Sequence, residues 1–151
     1  MLEKLPRKSA KLTVSVHNRH AARVNKKHLT KIAKRVWMEE GVAAGRVAII
    51  LVDNEFIRDL NKTFLHENGP TDVIAFPIEQ ANGQPVEGEI YISLDQVAEN
   101  SKSYAVDFNQ ELCRMVAHAL LHFLGYGDHT RAGKMKMTER ENYYLQRDLT
   151  I

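Results

Sequence analysis

Two histidines placed four residues apart are the side chains of this sequence best suited to chemistry. His118 and His122 lie in an apolar run. Four residues is about one helical turn, so both imidazoles project from one helix face with Cβ atoms ~5–6 Å apart. Gly125, suited to the left-handed end of a helix, follows them, and Asp128 and His129 come next. Because imidazole and carboxylate groups ligate Zn²⁺, the spacing predicts a metal site with Asp128 or His129 as the third ligand.

The residue after the first histidine decides which zinc chemistry is available. The metalloprotease motif His-Glu-x-x-His needs a glutamate there as general base, and this sequence has Ala119. An alanine cannot move a proton, so protease chemistry is disfavoured. The spacing of His118, Gly125 and Asp128 still matches the longer zinc motif, in which a glycine turn brings in a third ligand. Such a metal lowers the pKa of its bound water toward ~7, which makes hydroxide available for hydrolysis.

Three further side chains are candidates for contact with a substrate. Arg114 lies one turn before His118 on the same side of the helix. It either holds a substrate phosphate as a catalytic residue or pairs with Glu111 or another acid, and we favour the pair. Thr71 and Asp72 either line the cleft near the metal as substrate-binding residues or form a loop-to-strand turn with a capping aspartate. The sequence supports these two interpretations equally.

Hydrophobic periodicity places the histidines on the strongest helix of the chain. Helical patterns cover residues 26–40, 54–64, 95–104, 109–124 and 134–149. Strand patterns cover residues 12–16, 46–52, 71–77 and 88–93. In the second helix we expect Ile57, Leu60 and Phe64 to face inward. About four strands and four or five helices in mixed order predict an α+β domain, with helices packed on one mixed sheet and the metal site at the end of a central helix.

Composition predicts a single soluble domain with an uneven charge distribution. The 151 residues are 44% hydrophobic and 26% charged, and no apolar run is long enough to span a bilayer. Residues 1–35 hold eleven lysines and arginines against one acid, whereas the remainder holds ten bases and eighteen acids. The basic segment is either a contact surface for a phosphate backbone or a solvated helix face, with Lys27, Lys31, Lys34 and Arg35 facing outward. Residues 1–11 are expected to be loosely held.

The cysteine content and the N-terminus bear on location. Cys113 is the only cysteine, so no internal disulfide partner exists, and it is expected in the core. The basic N-terminus lacks a following apolar region, so we see no signal peptide. Both observations fit a cytoplasmic protein with no membrane partner.

Three sequence blocks together carry a family resemblance. Residues 118–126 read His-Ala-Leu-Leu-His-Phe-Leu-Gly-Tyr, residues 70–77 read Pro-Thr-Asp-Val-Ile-Ala-Phe-Pro, and residues 88–93 read Gly-Glu-Ile-Tyr-Ile-Ser. They resemble the YbeY family of single-strand-specific, metal-dependent endoribonucleases. Its signature is His-Gly-x-Leu-His-Leu-x-Gly-Tyr-Asp-His, and its other two blocks are Pro-Thr-Asp-Val-Leu-Ser-Phe-Pro and Gly-Asp-Ile-x-Ile-Ser. The order and spacing of the blocks also fit, over residues 46–129.

The resemblance implies a function and a ligand set. It implies one metal-dependent hydrolase domain over residues 1–151 that uses Zn²⁺ or another divalent metal. Its partners would be single-stranded RNA, above all 16S rRNA, and the ribosome or its small subunit. The roles implied are 16S rRNA 3′ end maturation and ribosome quality control. The metal ligands implied are His118, His122 and a third residue, which is Asp128 if nothing is inserted and His129 if Gly127 is an insertion; we favour Asp128.

The chain departs from the family pattern at two other positions. These departures leave alternatives to the nuclease function open. The family usually has an arginine five residues before the Pro-Thr-Asp block, expected to contact RNA phosphate, and here that residue is Leu65. The serine of the block is Ala75. The missing arginine gives weight to a non-catalytic ribosome-assembly factor with a structural metal. A metalloprotease is the third and weaker hypothesis, because of Ala119.

Overall fold

A four-stranded mixed sheet forms the centre of the computed structural model, which describes residues 11–65, 71–78, 86–127 and 129–149. The strands are β1 (Leu12–Asn18), β2 (Gly45–Val52), β3 (Val73–Ile78) and β4 (Val86–Ser93). They lie side by side in the order β1-β2-β4-β3. Strands β1, β2 and β4 run parallel to one another. Strand β3 pairs antiparallel with β4 and lies at the edge of the sheet.

Helices account for most of the remaining described chain, and most of them start at a capping side chain. They are α1 (Lys26–Glu39), α2 (Asn54–Leu60), α3 (Leu94–Tyr104), α4 (Phe108–Phe123) and α5 (Arg131–Leu149). A π-helical turn, Asn61–Leu65, follows α2. The side chains of Asn25, Asp53, Ser93 and Asp107 accept hydrogen bonds from backbone N–H groups at the starts of α1 to α4. These caps satisfy donors that have no partner within the helix, which fixes where each helix begins.

The core is divided between the two faces of the sheet because successive strand residues point to opposite sides. On the larger face, Val47, Ile49, Ile90 and Ile92 pack in one cluster with residues of α1 and α4. On the other face, a smaller cluster forms beneath α2 from Ile50, Val52, Ile57 and Ile74. Helix α4 also contacts α3 and α5. It is therefore the central helix. Because one side of α4 is packed against these elements, the residues on its opposite side are held toward solvent.

The predicted fold class is confirmed as a single α+β domain with a mixed sheet, but several local predictions are wrong. Thr71 and Asp72 precede β3, and Pro77 does not end the strand, since it pairs with Gly88 and the strand continues to Ile78. Phe64 does not face inward; it is 61% exposed. The wider π-helical turn interrupts the α-helical spacing that starts at Ile57.

Some predictions concern residues outside the described ranges. They include the expected loose segment at residues 1–11, apart from Lys11, and Asp128. Within the part of the chain that the structure describes, no helix is both long and apolar enough to cross a membrane.

Candidate metal centre

The histidine pair lies at the C-terminal end of α4, where the sequence places it. The ring centroids of His118 and His122 are 5.4 Å apart, and the rings are inclined by 76°. His122 is exposed and His118 is half-buried, whereas Ala119 and Leu120 between them are buried. The helix ends at Leu124, and Gly125 follows with a φ of +100°. The glycine is required there because a side chain would strain this left-handed conformation.

Helix α5 contributes a carboxylate that directly contacts the first histidine. Glu141 Oε2 lies 2.6 Å from His118 Nδ1, and the Glu141 side chain is only 8% exposed. Glu141 was not among the candidates from the sequence. A signal existed in the sequence, since residue 141 falls on the same helical stripe of α5 as Met137, Tyr144 and Leu145, all of which are buried. A glutamate on a buried stripe needs a polar partner, and His118 is such a partner for Glu141.

Arg114 is bound by the same part of α5. Its Nη1 donates to Glu141 Oε1 at 3.0 Å, and its Nη2 donates to Asn142 Oδ1 at 2.9 Å. The ion pair favoured from the sequence therefore forms with Glu141, the "other acid", and not with Glu111. A contact between Arg114 and substrate phosphate stays a prediction.

A second carboxylate cluster lies at the other end of the same helix face. Asn100 Nδ2 is 3.4 Å from Asp72 Oδ2 and 3.5 Å from Glu111 Oε2. Burial raises the pKa of Glu111 above its ordinary value; Asp72 and Glu141 add to this effect, while Asn100 and Arg114 oppose it. Asp72 also fixes the start of β3, because its carbonyl accepts from Ser93 N–H at 3.0 Å. The substrate-binding role of Thr71 and Asp72 stays a prediction.

The turn after α4 is anchored by a hydrogen-bonded cluster around Glu40. Tyr126 donates its hydroxyl to Glu40 Oε1 at 2.8 Å. Glu40 Oε2 accepts from the Tyr144 hydroxyl and from Nε and Nη2 of Arg140. Burial alone would raise the pKa of Glu40, but hydrogen bonds from Tyr144, Tyr126 and Arg140 lower it below the ordinary value. This arrangement ties the turn to the C-terminal end of α1 and to the middle of α5.

Of the two candidates for the predicted third metal ligand, Asp128 and His129, the structure describes only His129. Asp128 lies outside the described residues. His129 is described and exposed, but no group of three His, Cys, Asp or Glu side chains suited to one metal ion occurs within the described ranges. His118 and His122 are brought together, and the choice between Asp128 and His129 stays a prediction. Beside the turn, a cavity of about 350 Å³ is lined by Leu124, Gly125, Tyr126, Gly127, Gly133 and Lys136.

The fold and the histidine pair together define a class of protein. Members of this class are α+β domains in which two histidines lie on the solvent side of the central helix. Within that class the chain belongs to the YbeY family. The family model, described as "Endoribonuclease YbeY", matches residues 8–148.

Individual relatives agree with this assignment. A protein named Endoribonuclease YbeY from Chlorobium luteolum is 36% identical over 135 residues, which cover 89% of this chain and 97% of the relative. The protein of the same name from Salinibacter ruber is 33% identical over 140 residues and covers 87% and 89% of the two chains. The solution structure of TM1509 from Thermotoga maritima is similar with a TM-score of 0.62, at 25% identity over 89% of this chain and 88% of that one.

Proposed function

We propose that this protein is a metal-dependent endoribonuclease that cleaves single-stranded RNA. The observation that carries the proposal is the geometry of His118 and His122, whose rings face the same space on the solvent side of α4. The family name supports the substrate class, because its members are named as endoribonucleases. The departures from the family pattern at Leu65 and Ala75 lie before the histidine pair in the sequence and leave that pair intact.

The donor set fits Zn²⁺. Two imidazoles one helical turn apart, of which His118 is held by a buried carboxylate, form the kind of arrangement that zinc sites use. We propose His118, His122 and Asp128 as the ligands, with His129 as the alternative to Asp128. When bound, Zn²⁺ would supply Lewis-acid stabilisation of charge on phosphate oxygen and would lower the pKa of water toward ~7.

The chain's own residues would position the RNA beside the metal. Lys27, Lys31 and Lys34 are exposed along one stripe of α1, and none of the ion pairs in the described chain uses them. Unpaired cations at this spacing are suited to a phosphate backbone. Arg35 differs from the outward orientation predicted for it: it is half-buried, and its Nη1 has no hydrogen-bond partner in the described chain. The basic face of α1 therefore consists of the three lysines.

The biological role we propose is rRNA processing: 16S rRNA 3′ end maturation and ribosome quality control, on the ribosome or its small subunit, in the cytoplasm. The alternative of a non-catalytic assembly factor with a structural metal is not favoured, since the relatives are named as endoribonucleases. The metalloprotease hypothesis is weaker still because Ala119 is buried and lacks a proton-transferring group. Cleavage of casein that depended on His118 would revive it.

Metal removal tests the proposal. We expect protein loaded with Zn²⁺ to cut a single-stranded RNA internally and to leave the matching duplex intact. Treatment with a chelator should abolish cutting, and renewed Zn²⁺ should restore it. Far-UV circular dichroism of the chelated protein is the control, because a fold that survives chelation separates a catalytic metal from a structural one. Cutting that persists fully in the chelated protein would refute metal dependence.

A further inference from the structure

Both oxygens of the Glu141 carboxylate are engaged by residues of α4. Oε2 lies 2.6 Å from His118 Nδ1, and Oε1 accepts from Arg114 Nη1 at 3.0 Å. The side chain is nearly withdrawn from solvent, at 8% exposed. A carboxylate in such surroundings is costly unless charged donors satisfy it. Arg114 provides that charge, and Asn142 in turn accepts from the second terminal nitrogen of Arg114.

We propose that Glu141 is a positioning residue that sets the tautomer and orientation of His118. The carboxylate accepts the proton of His118 Nδ1–H, and this contact assigns Nε2 as the nitrogen that coordinates the metal. A ligating histidine commonly donates its other ring N–H to such an acceptor, which also fixes the ring plane. The inference rests on the proposed metal site and adds a residue from outside the sequence blocks that identify the family.

Arg114 has a defined part in this arrangement. It binds Glu141 and Asn142 of α5 through two different nitrogens, so it restricts the Glu141 rotamer and keeps the carboxylate directed at His118. The arginine thus supports the metal site through Glu141.

Docking of α5 does not depend on the Glu141 contact alone. Met137, Tyr144 and Leu145 of α5 are buried in the main core, and Arg140 is bound to Glu40 at 2.7 Å. Removing the carboxylate should therefore leave α5 in place, so the consequences for His118 can be measured in a folded protein.

The experiment compares Glu141→Met, Glu141→Gln and the control Glu139→Met. Methionine removes the acceptor, glutamine keeps one neutral acceptor oxygen, and residue 139 is an exposed glutamate on the same helix. The first measurement is the tautomer of His118 in metal-free protein, read from long-range ¹H–¹⁵N spectra above the ordinary histidine pKa of about 6.5. The second is Zn²⁺ affinity, measured by competition with a coloured chelator.

We expect the Nδ1–H tautomer in wild type and in Glu139→Met, and a mixture of tautomers in Glu141→Met. Zn²⁺ affinity should fall about 10–100-fold in Glu141→Met, with Glu141→Gln between that variant and wild type. An Nε2–H tautomer in metal-free wild type, or wild-type affinity in both Glu141 variants, would overturn the proposal. If Glu141→Met does not fold, Glu141→Gln carries the same test. Failure of the proposed function gives a different result: wild type would bind no Zn²⁺, while its tautomer still reports on the Glu141 contact.

Discussion

Leu65 is the residue at which the chain departs from the family pattern in a position expected to contact RNA. It ends the π-helical turn and is 46% exposed, so a longer side chain can be accommodated. We expect Leu65→Arg to cleave single-stranded RNA faster than wild type, because a guanidinium binds phosphate with two donors. The measurement is the initial rate of cleavage at fixed metal concentration. Leu65→Gln is the matched control, and an equal rate gain in both variants would show that charge is not the cause.

Two buried glutamates should respond to pH in opposite directions. The folded-state pKa of Glu40 is lowered, so its stabilisation is present above the ordinary value of 4.5 and is lost as the pH falls through the folded pKa. The folded-state pKa of Glu111 is raised, chiefly by burial, so its contribution is present below 4.5 and is lost as the pH rises through the folded pKa.

Glu111→Gln should therefore stabilise the protein at neutral pH, and the gain should shrink as the solution is made acidic. The glutamine keeps an oxygen for the Asn100 amide and removes the charge that burial disfavours. Urea unfolding of metal-free protein across a pH series measures this difference. The exposed Glu139→Gln is the control, with little change expected at any pH. A gain at Glu111 that grew toward acid pH would contradict the assigned direction of its pKa shift.

The sequence predicts that the two histidines share a helix face because they belong to one helical turn, whereas Glu141 comes from another helix. Local spacing determines that His118 and His122 share a face. The contact with Glu141 depends on how α5 packs across α4, and 23 residues separate the partners. For the same reason, the sequence predicts that Arg114 pairs with an acid but does not identify that acid as Glu141.

At the scale of elements, the turn after α4 depends on its tie to α1. The Tyr126 hydroxyl donates to Glu40, whose side chain is only 9% exposed. Tyr126→Phe should lower the free energy of unfolding by about 1.5–3 kcal/mol, the usual cost of a hydrogen bond to a charged group. It should also speed amide exchange at Gly125 and Gly127. Chemical denaturation and hydrogen exchange provide the two measurements.

Tyr104→Phe is the control for the same chemical change. Tyr104 is 64% exposed at the end of α3, so its loss of a hydroxyl should change stability by less than about 0.5 kcal/mol. Equal effects in the two variants would show that the contact with Glu40 does not stabilise the turn.

Element boundaries follow from the sequence where a cap or a regular period defines them. Asn25 marks the start of α1, and the apolar period of α4 gives its length to within a residue at each end. The prediction for Phe64 is wrong because it assumes α-helical spacing, whereas Asn61–Leu65 form a wider π-helical turn. Strand β3 begins at Val73, two residues later than predicted. The Asp72 carbonyl accepts a hydrogen bond from Ser93 N–H, but Asp72 does not belong to the strand.

At the scale of the whole molecule, the charge on α1 determines how RNA binding should respond to salt. If Lys27, Lys31 and Lys34 each contact a phosphate, replacing all three by glutamine should reduce the slope of log affinity against log salt by about 2. Fluorescence anisotropy with a labelled single-stranded RNA at several salt concentrations measures the slope. Lys102→Gln, on the exposed surface of α3, should leave it unchanged. An unaltered slope in the triple variant would exclude this face from RNA contact.

The sequence predicts an α+β fold because strand and helix periods alternate clearly, but the strand order is a tertiary property. Pairing of β2 with β4, and the placement of β3 at the edge, depend on non-local contacts. Charge counting identifies a basic segment, but it cannot show that Arg35 is half-buried while Lys31 and Lys34 are exposed.

We predict that the histidine pair of α4 holds the metal used to cleave RNA. The prediction is tested by cleavage of a single-stranded fragment from the 3′ end of 16S rRNA precursor, with metal-loaded wild type beside His122→Ala. His122 is exposed, so the substitution should preserve the fold while removing one ligand. We expect internal cleavage by wild type and none above background by His122→Ala. Equal cleavage by both proteins, or none by metal-loaded wild type, would contradict it.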